Sequence, residues 1–366
     1  MQQGYKQTEV GMIPEDWGCV AAKHLMKIET GSRNTEHKTD MGKYPFFVRS
    51  QKVEHIDTYH YNCEAVLTAG DGVGTGKVFH HFVGKFDAHQ RVYVMSNFDG
   101  ITGRYFYNYF SENFGKEVSK YTAKSSVDSV RRDMIAEMMI PLPPLEEQKR
   151  IAEALSDVDG MISSLEKLIA KKKAIKQGTM QELLTGKKRL PGFVGEWRKC
   201  KLKDVLTVGH GQSQHAIEDV NGKYPILATG GIIGGANSYL YDQPSVLIGR
   251  KGTIDKPQYM ETPFWTIDTL FYTKISTNYH AKYIFYVFCL IDWLDYNEAS
   301  GVPSLSASVI ENIDVIIPEL REQDAIVSIL SDMDNEIEAL EKKLDKTRQI
   351  KQGMMQQLLT GKIRLV

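Results

Sequence analysis

Two short stretches of this chain have the composition of a phosphate-binding loop. Residues 70–78 read GDGVGTGKV and residues 249–253 read GRKGT. Glycine lets backbone N–H groups approach a phosphate, and the neighbouring lysines and arginine supply positive charge. The nucleotide-binding pattern GxxxxGK[ST] is not met, because five residues separate Gly70 from Gly76 and Val78 replaces the hydroxyl that would hold Mg²⁺. GxGxxG is not met either. Two readings remain. One is an ordinary β-turn. The other is a loop whose Gly72, Gly74, Thr75 and Lys77, matched by Arg250, Lys251 and Thr253, touch a nucleic-acid backbone.

Two further pairs of stretches carry polar side chains. TGSRNT (30–35) and GHGQSQH (209–215) offer Ser32, Arg33, Asn34, Gln212, Ser213 and Gln214, the types that pair with base edges in a groove. They are equally common in plain loops. KSSVDS (124–129) and SGVPSLS (300–306) offer Lys124, Ser125, Ser304 and Ser306, which suit phosphate contact, turn formation or helix capping.

No catalytic set emerges. There is no nucleophile elbow, no metal-spaced carboxylate pair, no NPPY-type methyltransferase motif, and no Walker or helicase motif. Seven of the ten histidines precede residue 144, but none stands at HxxxH or HExxH spacing, so no metal site is expected. The four cysteines form no CxxC pair and read as reduced thiols of a cytoplasmic protein. No apolar run reaches the ~18 residues of a membrane span, and the N-terminus lacks the apolar core of a signal peptide. The net charge is −1, and residues 1–143 carry 17 basic and 17 acidic side chains. Any DNA-facing surface must therefore be a local cluster, or must be completed by a basic partner.

These loops need elements to hold them, and the chain writes those elements twice. IKQGTMQELLTGKKRL (175–190) returns as IKQGMMQQLLTGKIRL (350–365), an offset of 175 residues. The alignment extends upstream without a gap, from PPLEEQKRIAEALSDVD at Pro143 against PELREQDAIVSILSDMD at Pro318. A weaker match precedes it: Trp17, Gly31 and GKYP at 42–45 recur as Trp197, Gly211 and GKYP at 222–225. Such a period is too long for a solenoid and indicates a duplicated domain.

Each repeat predicts a helix of about 40 residues, ~60 Å long. Prolines and glutamates (Glu146, Glu147, Glu319, Glu322) open it, and Gly186 or Gly361 closes it. Its apolar residues follow a 4-3 spacing: Ile151, Leu155, Val158, Ile162, Leu165 and Ile169, then Ile326, Leu330, Met333, Ile337, Leu340 and Leu344. That is a coiled-coil seam. Gly178 and Gly353 are expected kink points. The expected fold is α/β: two small mixed α/β domains (1–143 and 187–317) separated by two long antiparallel coiled-coil helices (144–186 and 318–366), with a pseudo-twofold internal repeat. A helix pairing with another chain is the alternative.

YKQTEVGMIPEDW at the start, PLPPLEEQKRIAEALSDVD before the first long helix, MQELLTGKKRLPGF after it and the repeated QGMMQQLLTGKIRL resemble the specificity (S) subunits of type I restriction–modification enzymes. The similarity covers nearly the whole chain, although the variable blocks match only in outline. The resemblance implies two target-recognition domains, each reading half of a bipartite, asymmetric site in double-stranded DNA. It implies helices that set the spacing and dock two modification (M) subunits carrying S-adenosylmethionine, and restriction (R) subunits that add ATP- and Mg²⁺-dependent chemistry. No cofactor and no catalysis are expected in this chain. A coiled-coil scaffold with ligand-binding end domains and no DNA role is the competing reading.

Overall fold

The computed structural model describes residues 4–122 and 129–366. Among them the α-helices are α1 (Gly103–Thr122), α2 (Arg132–Ala136), α3 (Leu145–Leu184), α4 (Ala281–Leu290), α5 (Ala307–Glu311) and α6 (Leu320–Leu358). The chain divides into two compact units. Unit 1 joins Met1–Glu166 to Lys342–Val366, and unit 2 is Lys167–Glu341. This differs from the four consecutive blocks expected from the sequence, because each unit takes part of both long helices.

Unit 1 is built on a six-stranded sheet in the order Lys27–Thr30, Val92–Ser96, Tyr61–Ala69, Phe79–Ala88, Tyr44–Phe47, Glu54–Ile56. All neighbours are antiparallel except Tyr44–Phe47, which runs parallel to the end of Phe79–Ala88. Helix α1 covers one face. Its Phe106, Phe110 and Phe114 recur every fourth residue, which places them on a single stripe. Their rings stack at 5.1 and 4.4 Å between centroids, and the ring of Phe79 meets Phe110 edge-on at 5.5 Å.

Unit 2 repeats this connectivity. Its four-stranded sheet runs Leu206–His210, Leu270–Ile275, Ser245–Gly249, Gln258–Met260, all antiparallel. A three-stranded sheet runs Gly231–Ala236, Tyr224–Ala228, Trp265–Thr266, the last pair parallel. The one long strand Phe79–Ala88 of unit 1 corresponds to two short ones here, so a single sheet becomes two. Each unit also has an entry–exit ribbon, Gly18–Ala21 with Met139–Leu142 and Arg198–Lys201 with Asp314–Ile317, that leads into its long helix.

The long helices run without interruption through Gly178 and Gly353. Gly186 and Gly361 both take φ of 69°, the left-handed conformation of a helix-terminating glycine. The expected seam divides by unit. In unit 1, Ile151 and Leu155 are wholly buried in the main core beside Met355, Leu358 and Leu359. Further along, Val158, Leu165 and Leu344 are buried and Ile162 is half-buried. In unit 2, Ile326 and Leu330 belong to the main core with Met180, Leu183 and Leu184, and Met333 packs at its edge. Ile169 and Ile337 are buried and Leu340 is half-buried. The first two turns of each seam are thus domain core as much as helix contact.

Charged pairs flank the seams. In unit 1, Asp159 meets Lys351 at 2.6 Å and Glu166 meets Arg348 at 2.7 Å. In unit 2, Lys172 meets Glu336 and Lys173 meets Glu341, both at 2.7 Å, and Lys176 bonds Asp334. In unit 1 the numbers rise along α3 as they fall along α6, so the two segments run in opposite directions.

Candidate nucleic-acid interface

In unit 1 two loops converge on the segment 88–92. Gly31 N–H donates to the Val92 carbonyl, and Arg33 N–H to that of Ala88. Gly70 N–H donates to the Arg91 carbonyl at 2.8 Å. Gly31 is obligatory there, because a Cβ would lie 2.1 Å from the Ala88 oxygen. The Arg33 side chain is held by the wholly buried Asp87 at 3.0 Å and by Thr58 at 3.2 Å. Asn34 opens a short helical turn, its N–H bonded to His37 Nδ1. Ser32 and Lys77 are exposed, and Thr75 N–H bonds the Gly72 carbonyl.

The glycine loop contains a 3-10 turn, Gly72–Gly74. Together with Thr35, Arg49, Ser50 and Asp71 it lines a cleft of about 380 Å³. Asp71 also forms a backbone bridge with Ser129, so the segment leading to α2 closes one side of the same loop. Lys124 and Ser125 lie outside the described residues. Asp71 bonds Arg49 at 2.8 Å and Arg91 at 2.6 Å. Burial pushes its carboxyl up, but the two arginines outweigh that and hold it below the usual aspartate range. The neighbouring His89 is pushed down by burial, with Arg49 adding to the effect, and stays neutral at pH 7.

Unit 2 repeats the convergence with other side chains. Gln212 N–H donates to the Thr266 carbonyl and Arg250 N–H to that of Thr269. Gly211 is as crowded as Gly31, a Cβ there meeting the Ile267 oxygen at 1.9 Å. Ser213 is exposed, and the Gln214 carbonyl accepts from Ile217 and Glu218. Lys251 bridges Ser304 as Asp71 bridges Ser129, and the Thr253 carbonyl packs where any Cβ on Gly249 would fall. Ser306 caps α5, its hydroxyl oxygen accepting from Val309 N–H.

In each unit the repeated motif also forms a buried polar node. In unit 1, Trp17 Nε1 and Arg364 both donate to Glu147, and Arg364 also reaches Asp16. In unit 2, Trp197 Nε1 and Arg189 both donate to Glu322. Gln148 and Gln323, the next residues, bond the backbone of the α1 and α4 starts through Thr102 N–H and His280 N–H. The glutamates expected to serve only the helix dipole are therefore 3% and 1% exposed hubs.

The family described as type I restriction modification DNA specificity domain matches residues 14–177 and again 195–349. This chain belongs to that family. The specificity subunit of the type I restriction enzyme MjaVIII of Methanocaldococcus jannaschii is 26% identical, over all of this chain and 97% of its own length. The fold is that of the S subunit of a type I restriction–modification system from M. genitalium, with a TM-score of 0.70, 16% identity, and 98% and 99% of the two chains covered. A chain from a structure of type I complex assembly and conformational transition matches at a TM-score of 0.58, with 15% identity over 96% and 99%. Each family match in this specificity chain contains the tryptophan and glutamate of one node, while Arg189 and Arg364 fall outside both.

The sequence reading missed Arg49 and Arg91. Arg91 directly precedes strand Val92–Ser96 and Arg49 follows strand Tyr44–Phe47 closely, so neither lies in a loop of suggestive composition. Only the fold brings them to the cleft. Among the described residues no group of three metal-ligating side chains and no membrane-spanning helix is present.

Proposed function

We propose that this chain is the non-catalytic DNA-recognition subunit of a type I restriction–modification complex. Unit 1 and unit 2 each bind one half of a bipartite, asymmetric site in double-stranded DNA. The observation that carries this is the same strand topology built twice, with the same two loops converging on one segment but different side chains on them. Gly70 and Asp71 in unit 1 correspond to Arg250 and Lys251 in unit 2, so the half-sites differ.

On this reading α3 and α6 form the antiparallel, pseudo-twofold coiled-coil spacer and carry docking faces for two modification subunits. S-adenosylmethionine belongs to those subunits, and ATP and Mg²⁺ to the restriction subunits. The near-zero net charge fits a recognition chain whose partners supply part of the phosphate contact.

Methylome sequencing of a host expressing this chain with its modification partner tests the proposal. A two-part asymmetric motif is expected; methylation without sequence preference, or at a single uninterrupted palindrome, would overturn it. The spacer role has its own test. Four residues inserted into α3 add ~6 Å of helix, or roughly two base pairs at ~3.4 Å each, to the gap in the motif.

A further inference from the structure

We propose that Arg49 and Arg91, aimed by Asp71, read guanine in the half-site bound by unit 1. This rests on the DNA-recognition function above and specifies which side chains perform it. Each arginine gives Asp71 only its Nη1. Among the described residues the Nε and Nη2 groups of both carry no hydrogen bond. Those two N–H groups form the flat edge of a guanidinium that can donate in parallel to O6 and N7 of one guanine in the major groove.

The arrangement is prepared before any ligand arrives. Asp71 is mostly buried at 19% side-chain exposure, whereas Arg49 and Arg91 are 43% and 58% exposed. The backbone of Arg91 is fixed on both sides, its carbonyl accepting from Gly70 and its N–H donating to His89 Nδ1. Arg49 is seated by Gly74, where a Cβ would stand 2.5 Å from the Arg49 carbonyl oxygen. The carboxylate thus restricts two long side chains that would otherwise lose rotamer freedom on binding. It also lowers the local charge to one net positive, an arrangement that favours base edges over a bare phosphate grip. Unit 2 has Lys251 at the position of Asp71, and its Arg250 instead donates to the Asp268 carbonyl, so it holds no such pair.

The test uses the full chain assembled with its modification partner and a double-stranded DNA library randomised over both half-sites. Selected duplexes are sequenced for the wild type and for Arg49→Lys, Arg91→Lys, Arg49→Ala, Arg91→Ala and Asp71→Asn. The wild type is expected to require a G·C pair in the unit 1 half-site. Each lysine variant is expected to lose that preference by about 10- to 100-fold while keeping much of its affinity, because lysine keeps the charge and loses the two-pronged edge. Asp71→Asn is expected to blur the same positions. The unit 2 half-site serves as the internal control and stays unchanged in a folded variant.

A unit 1 half-site indifferent to G·C would overturn the inference, and so would lysine variants that retain the wild-type preference. Alanine variants that weaken all sequences equally, with a salt slope reduced by about one, would mark the arginines as phosphate contacts and overturn it too. A wild-type complex that selects no motif at all would instead overturn the proposed function.

Discussion

The indole Nε1 of Trp17 lies 3.1 Å from the buried carboxylate of Glu147, and Trp197 stands at the same 3.1 Å from Glu322. Each carboxylate also takes two hydrogen bonds from an arginine, Arg364 at 2.7 and 2.8 Å and Arg189 at 2.7 and 2.7 Å. Glu147→Ala leaves the Trp17 N–H without its acceptor and takes from Arg364 two of its hydrogen bonds, Asp16 alone remaining. The expected loss is about 3–5 kcal/mol for unit 1, and similarly for Glu322→Ala in unit 2. Urea unfolding followed by segment-resolved hydrogen exchange measures it, and losses below about 1 kcal/mol would refute the hub role.

Asp16 gives unit 1 a pH dependence with a definite sign. The hydrogen bonds from Arg364 hold its carboxyl below the ordinary value of 3.8, with slight burial opposing them. A depressed folded pKa stabilises fully above the unfolded value and loses that contribution as pH falls through the folded one. Exchange protection of residues 361–366 is therefore expected to be flat from neutral pH down to the ordinary aspartate range and to fall below it. Asp16→Asn should remove the acid dependence. The same profile in the variant would show that another group is responsible.

Gly31→Ala and Gly211→Ala force a methyl against a backbone oxygen at 2.1 and 1.9 Å. Backbone must move, at a cost of roughly 1–3 kcal/mol, and the loop carrying Ser32 to Asn34 or Gln212 to Gln214 shifts with it. DNA selection should then lose information in one half-site only. Melting and motif width equal to wild type in both variants would contradict the close approach.

Phe110 sits between two stacked rings and one edge-on ring in the core of unit 1. Phe110→Ala removes all three contacts and leaves a cavity, costing about 3–5 kcal/mol. Calorimetry should show the unit 1 transition moving down while that of unit 2 stays in place. A single transition shifting as one block would show that the two units unfold together.

Much of this fold was legible in the residues. The 4-3 spacing and the closing glycines located both long helices, and the spacing of Trp17 and Trp197 ahead of GKYP marked equivalent starts. What could not be read were contacts made across hundreds of residues. Nothing near Glu147 announces that its partner is Arg364, and nothing near Asp71 announces Arg49 and Arg91. Local composition pointed instead to Asn34, whose backbone N–H opens a turn, and to Ser306, whose hydroxyl caps a helix start.

The division of the chain also fixes an order of assembly. Unit 2 occupies one continuous stretch, while unit 1 joins residues up to 166 to residues from 342 onward. A polypeptide is synthesised from its N-terminus, and domains fold as their residues become available. The domain begun first is therefore finished second. Its Glu147 waits with Trp17 for an arginine made 217 residues later, while the other domain has already closed on Arg189. During that interval the half-built unit exposes an unneutralised carboxylate and an unfilled apolar slot beside Ile151 and Leu155. A nascent chain of this kind has one complete reader and one that is still open, and a break anywhere between residues 342 and 364 leaves it so.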